Sequence, residues 1–420
     1  MNLAQSKFIQ RYPALASRDF VIFWGAQFVS LIGTWMQNTT QPYLAYRLSG
    51  QPFDLGLIGF ASALPTLLLA LPGGVLVERL DKRKTVIFLQ GVMMVQALIL
   101  AFLTLTGLIQ IWQIVVLAFL LGTANAIEIT ARQAMLIELV GKEALPNAIA
   151  LQSTIFNAAR VIGPSLVAPF LIFIQGNGEG WAFLSNGLSY LFIIISLFFV
   201  RTPFRTEPEK SKRNLWAEFR DGQVYIQQTR SVAMIILMAS IVGWFGFPLL
   251  QQIPVIAKVV LATASDTPAI QAARNSALYT AQGVGALTAA LALASFNPKR
   301  KGRLLAAGQV VFILSLLGLA LTRNLPLSLA LIVLIGWGTV TMLATMNTLI
   351  QLEVPDQLRG RVFGTYLWAL QGVAPFGSLS VGWLAQNWGV PTAALVSGLV
   401  CLVTIGAIQL WNPEIRQRVI

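Results

Sequence analysis

Charged residues are rare in and beside the long apolar stretches of this 420-residue chain. Glu128 and Arg132 fall near the end of one stretch, and Arg160 falls near the middle of the next, in IFNAARVIGPSLVAPFLIFI at 155–174. A charged side chain at bilayer depth is costly and marks a functional site by default. Glu128 and Arg132 are four residues apart, so on a helix they share one face and can pair. We predict that this pair couples proton movement to the function of the chain.

Arg160 admits three interpretations from the sequence. Glu128 and backbone carbonyls could satisfy its guanidinium and so hold two helices together. The guanidinium could instead bind an anionic or acceptor-rich compound, because it offers several fixed hydrogen-bond donors. It could also adjust the proton affinity of Glu128, the only carboxylate within any predicted span.

Uncharged polar residues form a stripe on the first apolar stretch. Gln27, Ser30, Thr34, Asn38 and Gln41 recur at intervals of three and four residues, which places them on one helix face. Such a stripe could line a wet cavity or could bond neighbouring helices, and both remain open. Amides and aromatic residues mixed with one charge suit a large amphipathic ligand. The candidate substrate-binding residues are Arg160, Asn157, Thr34, Asn38, Gln41, Gln251, Tyr279, Trp368 and Gln371.

The residue inventory argues against catalysis. The chain contains no histidine and a single cysteine, Cys401. Histidine relays, most zinc sites, Ser-His triads and a disulfide framework are therefore excluded together. No phosphate-binding loop of the Walker type is present. We expect neither an enzyme, nor a metal site, nor a cofactor.

The apolar stretches predict an all-α membrane protein. Hydrophobic residues make up 56% of the chain and charged residues 11%, well below the roughly 25% typical of soluble domains. Runs of about 20 apolar residues are long enough to span a bilayer as helices. The twelve predicted spans are 20–46, 55–77, 85–106, 109–130, 148–174, 181–200, 231–257, 272–296, 304–322, 325–350, 362–385 and 392–411.

The positions of the basic residues predict the topology. With twelve spans, 24 of the 29 lysines and arginines fall on the side of both termini and four on the other side, with Arg160 between them. This bias follows the positive-inside rule, so both termini are expected in the cytoplasm. The net charge of +13 then reports topology and not a nucleic-acid partner. The first nineteen residues lack a signal-peptide pattern, so we expect the first span to be retained.

The spans divide into two similar sets of six. Lys82 and Lys299 each open a basic run in corresponding loops, 217 residues apart, and Gly122-Thr123 and Gly338-Thr339 lie 216 residues apart. Repeats of this kind predict two six-helix halves, residues 1–200 and 231–420. Residues 201–230 form a polar connection, in which Leu215, Phe219 and Ile226 fit a short helix on the membrane surface; a solvated linker fits equally well.

Several motifs resemble those of the major facilitator superfamily. GGVLVERLDKRK (73–84) is similar to its loop between the second and third helices. ARQAMLIELVGKEALPNAIALQSTIFNAARVIGPSL (131–166), GWAFLSNGLSYL (180–191), VPDQLRGRVFG (354–364) and FVSLIGTWMQ (28–37) resemble the branch that contains the enterobactin exporter and macrolide-efflux proteins. The resemblance implies a twelve-helix fold with a central cavity and alternating access. It also implies a cytoplasmic gating loop with a counterpart below the eleventh helix, formed by Glu78, Arg79, Asp81, Lys82, Arg83, Asp356, Arg359 and Arg361.

The resemblance also implies a function. We expect an inner-membrane secondary transporter, acting as a monomer, that exports a small amphipathic compound such as a siderophore, macrolide or other drug-like molecule, with the proton as coupling ion. The arginine that the superfamily carries on its fourth helix falls at Ala118 here, so either Glu128 with Arg160 replaces it or transport is uncoupled. Two alternatives remain: a lipid or lysolipid flippase, and a membrane scaffold or sensor that transports nothing.

Overall fold

Helices make up most of the chain in the part that the structure describes, and short non-helical connections join them. That structure is a computed structural model and describes residues 12–174, 176–204, 215–296 and 300–417, excluding the side chains at 70–79, 215–219 and 417. No strand occurs in these ranges. The prediction of an all-α membrane protein is confirmed.

The helices follow one another with short connections. Before the connecting segment lie α1 (Arg18–Ser49), α2 (Pro52–Arg79), α3 (Lys82–Leu105), α4 (111–140), α5 (142–173) and α6 (Gly178–Phe199). The connecting helix is α7 (Leu215–Gln228). After it lie α8 (Arg230–Val260), α9 (Pro268–Phe296), α10 (Lys301–Leu321), α11 (Leu325–Glu353), α12 (356–388), α13 (390–411) and α14 (Pro413–Gln417).

Two glycines decide how the membrane-spanning helices are counted. Ten continuous helical stretches of the described chain are long and apolar enough to cross a bilayer. One of them, Ile111–Phe173, would be roughly 95 Å long at 1.5 Å per residue, about three times the hydrocarbon thickness. It breaks at Gly141, and the last stretch breaks at Gly389, with φ of 75° and 82° that favour glycine. We divide both stretches at these glycines, so the ten stretches of the described chain become twelve membrane-spanning segments.

The structure moves several predicted boundaries. The fourth span was expected to end at 130, but α4 continues to 140, because the helix extends beyond the apolar region. The sixth begins at Gly178, so the helix includes Glu179. In α8, two wide π-type turns, Val242–Gly246 and Ile256–Val260, flank the segment that contains its prolines.

The same close contacts recur in both halves of the chain. A Cβ at Gly187 would lie 2.7 Å from the Leu98 side chain, and one at Gly398 would lie 2.6 Å from Leu317. A Cβ at Gly122 would lie 2.1 Å from the carbonyl oxygen of Ser62, and one at Gly336 would lie 2.2 Å from that of Gln282. By these contacts Gly122 corresponds to Gly336 and not to Gly338, which corrects the register that the sequence predicts. From these matches we propose that residues 1–200 and 231–420 are structural repeats.

Among the described residues, the halves meet mainly at two helix pairs. We call the side of the bundle where α1, α3 and α10 begin the basic side, after Arg18, Lys82 and Lys301, and the other the opposite side. At mid-depth, α5 meets α9, where a Cβ at Gly283 would lie 2.5 Å from the carbonyl oxygen of Arg160. Towards the opposite side, α2 meets α12, where a Cβ at Gly56 would lie 2.4 Å from the carbonyl oxygen of Ser378.

Candidate functional site

Glu128 is buried in α4 between two donors. Arg132 Nε donates to Glu128 Oε1 at 3.1 Å and to Oε2 at 3.3 Å, as the spacing predicts. Gln90 Nε2 on α3 donates to Oε1 at 3.0 Å, a contact that the sequence does not indicate. Glu128 is 3% exposed and Gln90 4%. The carboxylate is therefore enclosed, with one charged and one neutral partner.

Arg160 lies apart from this pair. Its guanidinium carbon is 5.2 Å from the centre of the Trp35 ring on α1, within the range of a cation–π contact. Phe156, one turn before it on α5, packs edge-on against Trp35 with ring centres 5.5 Å apart. The Nε of Arg160 is buried and has no hydrogen-bond partner, although the residue as a whole is half-buried. In the described structure no ion pair joins Arg160 to Glu128, so the interpretation of Arg160 as the structural partner of Glu128 is wrong for this conformation.

A cavity of about 230 Å³ lies where the two halves meet. Four predicted substrate-binding residues line it: Asn38 and Gln41 from α1, Gln251 from α8 and Tyr279 from α9. Gln251 Oε1 is buried without a hydrogen-bond partner. Ala118 also lines the wall, at the position where the resemblance places an arginine. The cavity therefore offers amides and a phenol in a mostly apolar surface.

The remaining predicted substrate-binding residues lie outside the lining of this cavity. Thr34 Oγ1 donates to the carbonyl oxygen of Ser30 at 3.0 Å, and Asn157 Nδ2 donates to that of Ser153 at 2.8 Å. Both side chains thus bond their own helices, which is common for short polar side chains. Trp368 and Gln371 are exposed on α12.

A buried amide network connects the helices of the first half. We define it as Gln37, Gln41, Gln96 and Asn186. Gln37 Nε2 donates to Gln41 Oε1 at 3.1 Å and to Gln96 Oε1 at 3.3 Å, while Asn186 Nδ2 donates to Gln37 Oε1 at 2.7 Å. Only Gln41 appears in the sequence prediction. The other members do not reveal themselves in sequence, because buried pairing depends on which helices become neighbours.

The predicted gating residues make local contacts on the basic side. Asp81 caps α3 by accepting from the Lys84 amide at 3.0 Å, and Lys82 pairs with Glu138 on α4. Arg359 pairs with Asp356 at 2.5 Å, and Arg361 pairs with Asp221 on α7 at 3.1 Å. Arg83 is half-buried. The side chains of Glu78 and Arg79 lie outside the described residues.

Two further ion pairs lie on the opposite side. Arg47 Nε on α1 donates to Glu179 Oε1 at 2.7 Å, and Glu179 is 4% exposed. Arg274 on α9 donates to Asp266 Oδ2 at 2.8 Å and Oδ1 at 2.7 Å, and also to the carbonyl oxygen of Ala257 at 2.7 Å. These hydrogen bonds from Arg274 hold the pKa of Asp266, in the α8–α9 connection, well below its ordinary value.

Comparison with known proteins places these features in a family. A family model described as transmembrane secretion effector matches residues 10–417. The staphyloferrin A transporter of Staphylococcus aureus is 22% identical over 91% of this chain and 94% of its own. The multidrug efflux pump Tap of Mycolicibacterium fortuitum is 23% identical over 90% and 91%. The enterobactin exporter EntS of Salmonella typhi is 24% identical over 92% and 90%.

Solved structures agree on the fold. The nucleoside transporter NupG superposes with a TM-score of 0.68 at 10% identity, covering 94% of this chain and 98% of that one. A bacterial homologue of the human lysosomal transporter Spinster, in an inward-facing and unoccupied conformation, gives 0.68 at 13% identity over 98% and 97%. At such identities the likeness concerns the fold alone.

Proposed function

We infer the function of this chain from its family: it belongs to the transmembrane secretion effector family of major facilitator transporters. We propose that it is a secondary active transporter that exports a small amphipathic compound by alternating access. Similar proteins include a staphyloferrin A transporter, an enterobactin exporter and a multidrug efflux pump. The single observation that supports this most directly is the cavity where the halves meet, which is mostly apolar and carries the polar side chains of Asn38, Gln41, Gln251 and Tyr279.

Arg160 is the proposed electrostatic anchor for the substrate. Its guanidinium lies over an aromatic ring and has no carboxylate partner in the described structure, so a ligand with an acceptor group would complete its hydrogen bonds. A guanidinium and an indole together suit a planar, acceptor-rich group. Thr34, Asn157, Trp368 and Gln371 are proposed to reach the substrate only in other conformations of the transport cycle.

Glu128 is the proposed proton carrier, with Arg132 as its partner. Ionised Glu128 accepts hydrogen bonds from Arg132 and Gln90. Protonation would weaken the pair with Arg132 and release that side chain, which gives proton binding a means to shift the conformational equilibrium. Substrate and proton would then bind alternately, as antiport requires.

The proposed orientation places the basic side in the cytoplasm, with both termini there, in an inner membrane. The contacts that join the halves lie at mid-depth and towards the opposite side, which supports a cavity open to the cytoplasm. Asp81, Lys82, Arg83, Asp356, Arg359 and Arg361, with Glu78 and Arg79, would then form the gate that closes during export. We propose that one chain suffices, because the cavity is complete within it.

The deciding experiment compares cells that carry the gene with cells that lack it. Secreted metabolites and sensitivity to a panel of macrolides and other drugs are measured in both, and in cells with Glu128→Gln. Coupled export is supported if one compound accumulates inside the deletion cells. The wild-type gene should then restore its secretion, and Glu128→Gln should not. Identical secretion and drug profiles in all strains would reject the transporter function and favour a scaffold.

A further inference from the structure

A groove separate from the candidate site runs along the outer surface of the second half, between α10 and α13. Its volume is about 180 Å³. Val310 and Leu314 from α10 and Leu402 from α13 line it, and all three are exposed. Gly406 leaves it open, since a Cβ there would meet nothing within 4 Å. Because both helices span the membrane, this exposed apolar surface faces lipid chains.

Positive charge is concentrated at the basic-side end of this groove. Arg416 lines the groove directly. Arg303 lies three residues before the lining residue Ala306, so it falls on the same face of α10. Helix α10 also begins here, at Lys301, and the free amides at a helix N-terminus favour anions.

The fold fixes the position of Arg416. Helix α14 docks onto the start of α10, where a Cβ at Gly302 would lie 1.9 Å from the carbonyl oxygen of Ile415. Ile415 itself is 1% exposed. The arginine that follows it is therefore held beside α10 and does not lie on a free tail.

Two buried amides lie at the base of the groove. Gln409 Nε2 donates to Gln309 Oε1 at 2.8 Å, and both amides line the groove. Gln409 is 8% exposed, and its Oε1 is buried without a hydrogen-bond partner. With both amides buried, the accessible wall of the groove is almost entirely apolar and suits an acyl chain.

We propose that this groove binds one anionic phospholipid, such as phosphatidylglycerol, from the basic-side leaflet. One acyl chain lies along Val310, Leu314 and Leu402, and the phosphate lies between Arg303 and Arg416. Zwitterionic lipids carry a compensating ammonium group and gain less from the two arginines. The site is independent of the proposed transport function.

The test uses the full chain, purified and delipidated in detergent. Thermal stability and native mass spectrometry are followed while phosphatidylglycerol or phosphatidylcholine is added. We expect phosphatidylglycerol to bind more tightly and to raise the Tm further. In the double variant Arg303→Gln/Arg416→Gln, its apparent affinity should fall roughly 10- to 30-fold, because each basic residue near a lipid surface contributes about fivefold.

A second variant fills the groove without removing charge. Gly406→Leu should abolish the preference for phosphatidylglycerol while the protein still elutes as a folded species. Gly91→Leu is the matched control, because a Cβ at Gly91 also meets nothing within 4 Å but lies on α3, far from the groove. It should keep the wild-type response. Equal stabilisation of the wild type by both lipids, or an unchanged phosphatidylglycerol response in Gly406→Leu and the arginine variant, would overturn the proposal.

Discussion

At the residue scale, the two predicted charged features have separate environments. Glu128 has a full set of partners, whereas Arg160 has an aromatic ring and a buried Nε without an acceptor. A buried donor without a partner costs about 1–3 kcal/mol, so a chain with no use for Arg160 would lose little by replacing it with an apolar residue. The unsatisfied Nε of Arg160 is therefore consistent with a ligand whose acceptor group completes the hydrogen bonds of the guanidinium.

Replacement of Arg160 by glutamine tests this role. Hydrogen bonds to charged groups contribute about 1.5–3 kcal/mol, so Arg160→Gln should weaken substrate affinity by about 10- to 100-fold. Arg160→Lys keeps the charge but loses the planar guanidinium, so its substrate affinity should lie between that of the wild type and that of Arg160→Gln. Transport of the compound identified by the secretion comparison is measured in proteoliposomes, with Arg323→Gln, in the α10–α11 connection, as a control. Full transport by Arg160→Gln would exclude it as a substrate residue.

The Asp266–Arg274 pair gives a prediction on pH. The pKa of Asp266 is lowered in the folded protein, so its contribution to stability is complete above the ordinary carboxyl value of about 4 and is lost as the pH falls through the lower folded value. Asp266→Asn should therefore lower the Tm in detergent at pH 7 and reduce the destabilisation that acid causes in the wild type. Asp356→Asn breaks an ion pair in which Asp356 is 85% exposed and should change the Tm far less. Equal effects of the two variants would contradict the assignment.

At the element scale, the sequence predicts which helices exist better than how they meet. Hydropathy locates the spans, because apolar length alone decides whether a helix can cross a bilayer. It misplaces the ends of α4 and α6, since helices continue beyond the hydrocarbon. The amide network also escapes prediction: Gln37, Gln96 and Asn186 are separate polar residues until the packing of α1, α3 and α6 brings them within hydrogen-bond distance.

The close crossing of α5 and α9 depends on Gly283, which has no side chain. A Cβ at Gly283 would lie 2.5 Å from the carbonyl oxygen of Arg160, so Gly283→Ala must push the helices apart. Overpacking of this kind costs about 1–3 kcal/mol. We expect a lower Tm and slower transport, because this pair joins the two halves. Gly25→Ala, where a Cβ meets nothing within 4 Å, should be neutral; equal losses in both variants would show that glycine itself, and not the contact, matters.

Buried amides in the two halves provide a matched comparison. Gln37 bonds to Gln96 in the first half, and Gln409 bonds to Gln309 in the second. Gln37→Leu and Gln409→Leu each leave a buried amide without its partner, at a cost of about 1–3 kcal/mol per group. Both should lower the Tm. Only Gln37→Leu should also alter transport, because Gln37 bonds to Gln41 in the cavity wall. Transport that falls equally in both variants would assign the network to stability alone.

At the scale of the whole molecule, the contacts between the halves are unevenly distributed. On the opposite side, Gln252 Nε2 on α8 donates to the carbonyl oxygen of Pro52 at 3.2 Å, and the Phe53 amide donates to Gln386 Oε1 at 3.4 Å. The Lys258 ammonium also lies 5.5 Å from the centre of the Tyr46 ring. Of the ion pairs described on the basic side, Lys82–Glu138 lies within the first half and Arg361–Asp221 joins the second half to α7. Sequence alone does not reveal this difference, because the same sequence would have to support both end states of the proposed transport cycle.

Labelling of the cavity from each side of the membrane tests the arrangement without a substrate. Cys401 is the sole cysteine and is buried, so Cys401→Ser gives a cysteine-free background. Asn38 is exposed in the cavity, and we expect Asn38→Cys to react with a membrane-impermeant maleimide in inside-out vesicles and not in right-side-out vesicles. Lys84→Cys and Thr106→Cys, exposed at the two ends of α3, report each side separately. The proposed opening to the basic side fails if Asn38→Cys follows the pattern of Thr106→Cys, and the proposed orientation fails if Lys84→Cys reacts in right-side-out vesicles, because each result would place the reactive side chain on the wrong side of the membrane.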